Sequence, residues 1–385
     1  MRAVIALAMM LSGALPAWAD NSPALENQQI AGLIRTPLML PVTLANGQPA
    51  LLEAFVTRPA NNDPAPVALI TNGTADTADF DRFVMNPNRY ASTAIAFARH
   101  GYAAVVVLRQ GYGQSSGAAE YAGGSCAQPH HQLAGERDRD TLLAALKAIR
   151  QQPWASPKQA VLVGMSSGGF AMLATGAANP PGVQAIINFD GGRGALDGKS
   201  FCDQPGLLKA LSDYGKRTTI PSLWLYAAND RAFPPAAAKA MFSAYQQNGA
   251  PATFVAMPAF GENGHTFMDS APEAFWWKPV ANFLQQQALP YQPVVALPQT
   301  HLPVPSVLND EGRKAFQEYA ASQRYEKAFA IDAQGDWGVA YWARTRDEAA
   351  ESALGYCAKQ QEAGKAGCHL YTINNEVVPE QTVQR

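Results

Sequence analysis

Short apolar runs alternate with amphipathic stretches over the first three quarters of the chain. Val67 to Thr71, Ala103 to Leu108, Ala160 to Val163, Val183 to Phe189, Ser222 to Tyr226 and Ala252 to Met257 are almost continuously apolar and of strand length. Strands buried on both faces read this way. Between them, Asn88 to His100, Asp140 to Gln151, Pro234 to Gln247 and Ala274 to Gln287 carry apolar residues at helical spacing, as in Leu142, Leu143, Leu146 and Ile149. Gly101 and Pro153 punctuate the ends of the first two. Ahead of these, Thr36 to Leu44 and Ala50 to Arg58 are strand-like runs around Asn46-Gly47, a hairpin turn signal. A long Gly- and Ser-rich loop runs from Arg109 to about Gly135. Strands alternating with helices predict right-handed crossovers and a mostly parallel sheet with helices on both faces.

The pattern changes after Gln287. Residues 289–307 are proline-rich and read as a semi-rigid linker. Residues 308–385 predict a small α+β unit. It has a helix from Asp310 to Ser322, paired strands at Ala328 to Ile331 and Gly338 to Trp342, a helix from Asp347 to Gln361, and a last strand from His369 to Ile373. At the other end, Arg2, the apolar stretch Ala3 to Leu15 and the triplet Ala17-Trp18-Ala19 resemble a bacterial signal peptide over residues 1–19. The expected mature protein starts near Asp20, exported to the periplasm or the medium, with its larger unit over residues 20–288. The apolar stretch is short for a bilayer span, and no later stretch qualifies.

Composition narrows the partners. The chain has 385 residues, 48% of them hydrophobic, enough for one large core and a smaller one. A net charge of −2 carries no basic excess, which argues against nucleic acid. Export would make the four cysteines candidates for disulfides, with three possible connectivities. Pairing within each region, Cys126 with Cys202 and Cys357 with Cys368, is the simplest. Their spacing lacks a C-x-x-C pair and gives no zinc signature.

The candidate chemistry centres on Gly164-Met165-Ser166-Ser167-Gly168, which follows a buried strand and opens a helix. A serine on such a turn is held with its hydroxyl above the sheet, and the flanking glycines let strand and helix approach. The spacing selects Ser166 over Ser167. A serine nucleophile needs a base, and the base needs an orienting acid. Of six histidines, His265 alone lies in a Gly-flanked loop just past the last strand, where the catalytic loops of such sheets gather. The neighbours His130 and His131 read as loop residues rather than metal ligands. Asp230 and Asp190 each end a strand and satisfy the chain order Ser, Asp, His. Asp230, after a small-residue turn, is the favoured acid. The oxyanion donors expected are the N–H of Ser167 and one from Asn72-Gly73-Thr74.

These residues, with Arg109-Gln-Gly-Tyr-Gly-Gln-Ser-Ser-Gly117, resemble the α/β-hydrolase superfamily, and within it the dienelactone-hydrolase-like and prolyl-oligopeptidase-like serine hydrolases, over residues 36–288. The resemblance implies an eight-stranded core, a Ser-His-Asp triad and no cofactor. One departure matters: dienelactone hydrolases use a cysteine nucleophile, and Ser166 stands here. Gln110 is an extra residue in the loop motif. The implied sheet order places Cys126 and Cys202 in loops on opposite sides of Ser166, so that a bond between them ties the mouth of the site. The C-terminal unit resembles a small cysteine-bearing module of exported bacterial proteins and is expected to be an accessory to activity. The expected function is an exported carboxylesterase acting on a small molecule. A peptidase acting on a peptide, or a silent binding protein on a hydrolase scaffold, are the alternatives.

Overall fold

Near-continuous apolar strands can bury both faces only if helices cover both, and the chain folds accordingly. The structure is a computed structural model that describes residues 28–61, 63–74, 82–118, 126, 129–196, 200–298, 301–361 and 367–379. The expected signal peptide lies outside the described residues. In chain order the larger region comprises β1 (Gln28–Ile30), β2 (Leu33–Thr43), β3 (Pro49–Pro59), β4 (Ala65–Thr71), α1 (Ala91–Arg99), β5 (Ala103–Val107), α2 (His131–Ile149), β6 (Ala155–Met165), α3 (Ser167–Gly176), β7 (Val183–Phe189), α4 (Gln204–Arg217), β8 (Ser222–Ala227), α5 (Pro235–Gln246), β9 (Ala252–Met257), α6 (Phe267–Ser270) and α7 (Glu273–Gln286).

One nine-stranded sheet runs in the order β1-β2-β3-β5-β4-β6-β7-β8-β9. Strands β1, β2 and β3 pair antiparallel, and β3 meets β5 antiparallel. From β5 to β9 every pairing is parallel. The strand order reverses between β4 and β6, so their carboxyl ends open a crevice at the switch point. On one face Phe97, Tyr102, Trp276 and Trp277 pack with α1 and α7. On the other, Leu142, Leu146, Phe170, Leu173 and Leu211 join α2, α3 and α4.

Three features depart from the pattern. The sheet has nine strands, not eight, because short β1 adds an antiparallel edge to β2. Helix α2 begins at His131, well ahead of Asp140. Its first turns bury His131, Ala134, Gly135 and Asp138, which recur at helical spacing but are small or polar. Helix α4 was not among the predicted elements, although Leu207, Ala210, Leu211 and Tyr214 recur along its buried side. It supplies the crossover from β7 to β8.

The C-terminal unit holds α8 (Asp310–Ala321), β10 (Ala328–Ile331), β11 (Trp337–Ala340), α9 (Arg346–Gln360), β12 (His369–Ile373) and β13 (Glu376–Val377). Its four strands form a separate antiparallel sheet ordered β11-β10-β12-β13. Cys357 at the end of α9 bonds Cys368 ahead of β12, and Cys126 bonds Cys202 in the larger region. The linker is not a free spacer. Val294 and Val295 donate their N–H groups to Arg99 O at 2.8 and 3.0 Å, and Tyr102 Oη donates to Pro290 O at 2.7 Å. The chain is thereby laid along the end of α1 before it enters the small unit.

Candidate active site

Ser166 stands between β6 and α3 with φ 55° and ψ −126°, a region that non-glycine residues enter only under constraint. The constraint is visible. Its N–H donates to Phe189 O at 3.0 Å, and its own carbonyl accepts from Gly192 at 3.0 Å and Phe170 at 3.1 Å. The flanking glycines are required by contact. A Cβ on Gly164 would lie 2.4 Å from Gly168 O, and one on Gly168 would lie 2.4 Å from Asn72 O. Strand β6, helix α3 and the loop after β4 therefore meet at backbone distance around this serine.

The loop Asn72-Gly73-Thr74 is fixed from several sides. A Cβ on Gly73 would sit 3.1 Å from Ser166 Cβ. Gly73 N–H donates to Tyr90 Oη at 2.9 Å. Gly73 brings the loop close, and its N–H is engaged by Tyr90. Asn72 O accepts from the buried Arg109 guanidinium. Arg109 Nη2 also donates to Ser167 Oγ at 2.9 Å, as does Thr74 Oγ1 at 2.7 Å. Arg109 in turn pairs with Asp138 at 3.1 Å. One buried cation thus ties the loop after β4 to the residue after Ser166, a link that the loop motif alone did not reveal.

Asp230 and His265 come together from the loops after β8 and β9. Asp230 Oδ2 lies 3.1 Å from His265 Nδ1, and both residues are buried. The other carboxylate oxygen accepts from Ala232 N–H at 2.7 Å and Phe233 N–H at 2.9 Å. Two asparagines stitch these loops. Asn263 Oδ1 accepts from Arg231 N–H at 3.0 Å and His265 N–H at 3.2 Å, and Asn229 Oδ1 accepts from Phe260 N–H at 2.9 Å. Neither asparagine was singled out in the sequence, although each lies within two residues of Asp230 or His265. Phe233 joins the two halves. Its ring centroid lies 5.6 Å from that of His265, and a Cβ on Gly192, whose N–H bonds Ser166 O, would lie 2.6 Å from the same ring.

Asp190 is placed differently. It ends β7 at φ 44°, fully buried, and accepts from Ala227 N–H at 3.0 Å. Burial, then the negative charge of Asp230, drives its carboxyl well above the usual range. Burial also opposes ionisation of Asp230, but the His265 hydrogen bond and charge, the Phe233 N–H and a hydrogen bond with Asp190 outweigh it, and the carboxyl is lowered. Two neighbouring carboxyls therefore diverge: the one against the imidazole is shifted down, and the one behind it is shifted up.

The remaining histidines take other places. His100 stacks on Trp277 at 3.8 Å, and burial pulls it down to about 4. His131 is not a loop residue: it opens α2, buried, with Nε2 2.7 Å from Cys202 O. His301 and His369 are exposed. Among the described residues, no group of three or more His, Cys, Asp or Glu is arranged to hold a metal. The Cys126–Cys202 bond sits near the site, since Cys202 N–H donates to Gly194 O at 2.8 Å, two residues beyond Gly192. Tyr112 and Trp276 are fully buried in the core, and the buried Phe233 lies against His265.

The sequence model of the Dienelactone hydrolase family matches residues 52–288. No curated protein matches the chain. Among solved structures, a cold-adapted esterase from an Arctic intertidal metagenomic library is similar at 15% identity and TM-score 0.47, over 68% of this chain and 97% of its own. An acetyl xylan esterase from Paenibacillus sp. R4 is similar at 13% identity and TM-score 0.48, over 68% and 86%. A Klebsiella pneumoniae protein described as a dienelactone hydrolase is similar at 17% identity and TM-score 0.44, over 67% and 99%.

Proposed function

The chain belongs to the dienelactone hydrolase family and is a hydrolase, and from that premise we propose that it cleaves a carboxylic ester through an acyl-enzyme on Ser166. The observation that carries the proposal is the left-handed backbone of Ser166 at the β6–α3 turn, φ 55°. A serine is held there at a cost in strain, which presents a nucleophile.

In this reading His265 Nε2 takes the Ser166 hydroxyl proton as Oγ attacks the ester carbonyl carbon. Asp230 keeps the other ring nitrogen protonated and stabilises the imidazolium. The carbonyl oxygen becomes an anion, received by the N–H groups of Thr74 and Ser167. Collapse breaks the C–O bond, and the alcohol leaves with the proton held on His265. Water then repeats the sequence on the acyl-enzyme, releases the acid and restores Ser166. No metal or cofactor enters these steps. Ser167 opens α3, whose first N–H groups lack intrahelical partners, so the helix end favours negative charge at this point. Two disulfides fit an oxidising compartment, which supports an exported enzyme.

The test is a panel of p-nitrophenyl esters of increasing acyl length, run beside peptide anilides. Turnover of short esters that depends on Ser166 is expected. Anilide cleavage with no ester turnover would favour a peptidase, and binding without turnover of either would favour a silent scaffold.

A further inference from the structure

The segment from Asn86 to Thr93 joins a 3-10 turn, Pro87–Tyr90, to the start of α1. On one side it reaches two catalytic loops. Tyr90 Oη accepts Gly73 N–H at 2.9 Å, in the loop that carries Thr74. Arg89 Nε donates to Asp269 Oδ2 at 2.9 Å, and Thr93 Oγ1 donates to Met268 O at 2.6 Å, both in α6, which closely follows His265.

On its other side the same segment is gripped by the C-terminal unit. Asn86 Nδ2 donates to Trp342 O at 2.6 Å, and Asn88 Nδ2 donates to Ala343 O at 2.9 Å. Arg344 Nη2 donates to Met85 O at 2.7 Å, while its Nε meets Glu53 Oε1 at 2.9 Å. Arg35 closes the arrangement, donating to Asn88 Oδ1 and to Glu326 Oε1, each at 2.7 Å. Arg35, Asn88 and Glu326 are all buried, so water is not on hand to replace a lost partner.

The geometry points to the C-terminal unit as a positioning element of the active site rather than an accessory to it. Through Trp342–Arg344 it fixes the Asn86–Tyr90 turn, and through Tyr90 that turn fixes the Asn72–Gly73 peptide, one peptide before the Thr74 N–H. Tyr90, Asn88 and Arg344 act through other groups and are positioning residues. The proposal rests on the serine-hydrolase reading above. It replaces the expectation that the unit is an accessory to activity. An oxyanion donor must meet a developing charge within a few tenths of an ångström, and displacement of about 1 Å costs roughly a hundredfold in rate. Loosening the support one step back should cost less, about tenfold, and should fall on kcat.

Two variants separate positioning from bulk stability. Tyr90→Phe keeps the ring and removes the acceptor of Gly73 N–H. Asn88→Asp keeps the acceptor facing Arg35 and removes the donor facing Ala343 O. Arg346→Ala, which breaks an exposed pair with Glu376 inside the C-terminal unit, is the control. Active sites are counted with a fluorophosphonate, and kcat and KM are measured per labelled site on p-nitrophenyl acetate. The expected result is kcat lowered about tenfold in Tyr90→Phe and Asn88→Asp, with KM within about twofold and Arg346→Ala unchanged. Should Asn88→Asp not fold, Arg344→Gln carries the same test at the edge of the seam. Wild-type kcat per labelled site in both variants would overturn the proposal alone. A wild-type protein that neither labels nor turns over ester would overturn the serine-hydrolase reading and this proposal with it.

Discussion

Strands β4 to β7 bury Val, Leu, Ile and Ala on both faces, whereas the seam where the C-terminal unit meets the sheet buries Arg35, Glu326, Asn88 and Glu53. Apolar burial is strong but non-directional, worth about 25 cal/mol per Å² wherever the surface goes. A buried ion pair is directional and adds little net stability, because desolvation offsets most of the Coulomb gain. The sheet is therefore held together by quantity of surface. The seam is held in one orientation by a few contacts, each of which needs both of its partners. A device of the second kind suits a part whose angle matters, and the seam lies one residue chain away from the loop beside Ser166.

The largest effect tests directional contacts within the site itself. Asp230→Asn should lower kcat by about 10⁴, the loss found when a triad acid can no longer hold the histidine tautomer. Asp190→Asn should do far less, because Asp230 rather than Asp190 meets the His265 ring and burial already disfavours the charged form of Asp190. Steady-state kinetics on both folded variants checks this, and a greater loss for Asp190→Asn would reverse the assignment. Next in size is the seam. Glu326→Ala should destabilise by about 3–5 kcal/mol by stranding Arg35, and the double change Arg35→Met with Glu326→Leu should recover part of it, the rest being lost because Asn88 Oδ1 and Asn374 Nδ2 forfeit their partners. Leu69→Ala in the sheet should cost about 2–5 kcal/mol through its cavity, with no comparable single-partner rescue. Denaturant titration measures all three, and a double variant no better than Glu326→Ala would break the contrast. Smaller still is the effect of the C-terminal disulfide. Cys357–Cys368 spans 11 residues and is worth roughly 3 kcal/mol by chain entropy, against about 4–5 for the 76-residue span of Cys126–Cys202. Both Cys→Ser pairs should lower Tm, but only loss of Cys126–Cys202, near Gly194, should alter KM for bulky esters. Equal KM effects from the two would contradict a role at the entrance.

What could be read from the sequence follows the same division. Strands β7 and β10 begin and end where their apolar runs do, because burial by surface leaves a composition signal. The G-x-S-x-G spacing selected Ser166, since backbone contact there forbids any Cβ on Gly164 or Gly168. The order Ser, Asp, His reduced the acid to two residues, the small-residue turn favoured Asp230, and the structure brings Asp230 to His265. The start of α2 and the seam were not legible, because both are built from polar or small residues whose partners lie far away in sequence. Asp138 answers Arg109, and Arg35 answers Glu326 across 291 positions. No local pattern encodes such a pairing. The proline-rich composition of residues 289–307 suggested separation, whereas backbone bonds to Arg99 fix the linker in place.

The central claim is that Ser166 is the nucleophile, and covalent labelling tests it most directly. The intact protein is treated with a fluorophosphonate and the adduct is located by peptide mass spectrometry. One adduct per chain is predicted, on Ser166, absent from Ser166→Ala and retained in a folded Ser167→Ala. An adduct on another residue, or none in a folded protein, would contradict the account.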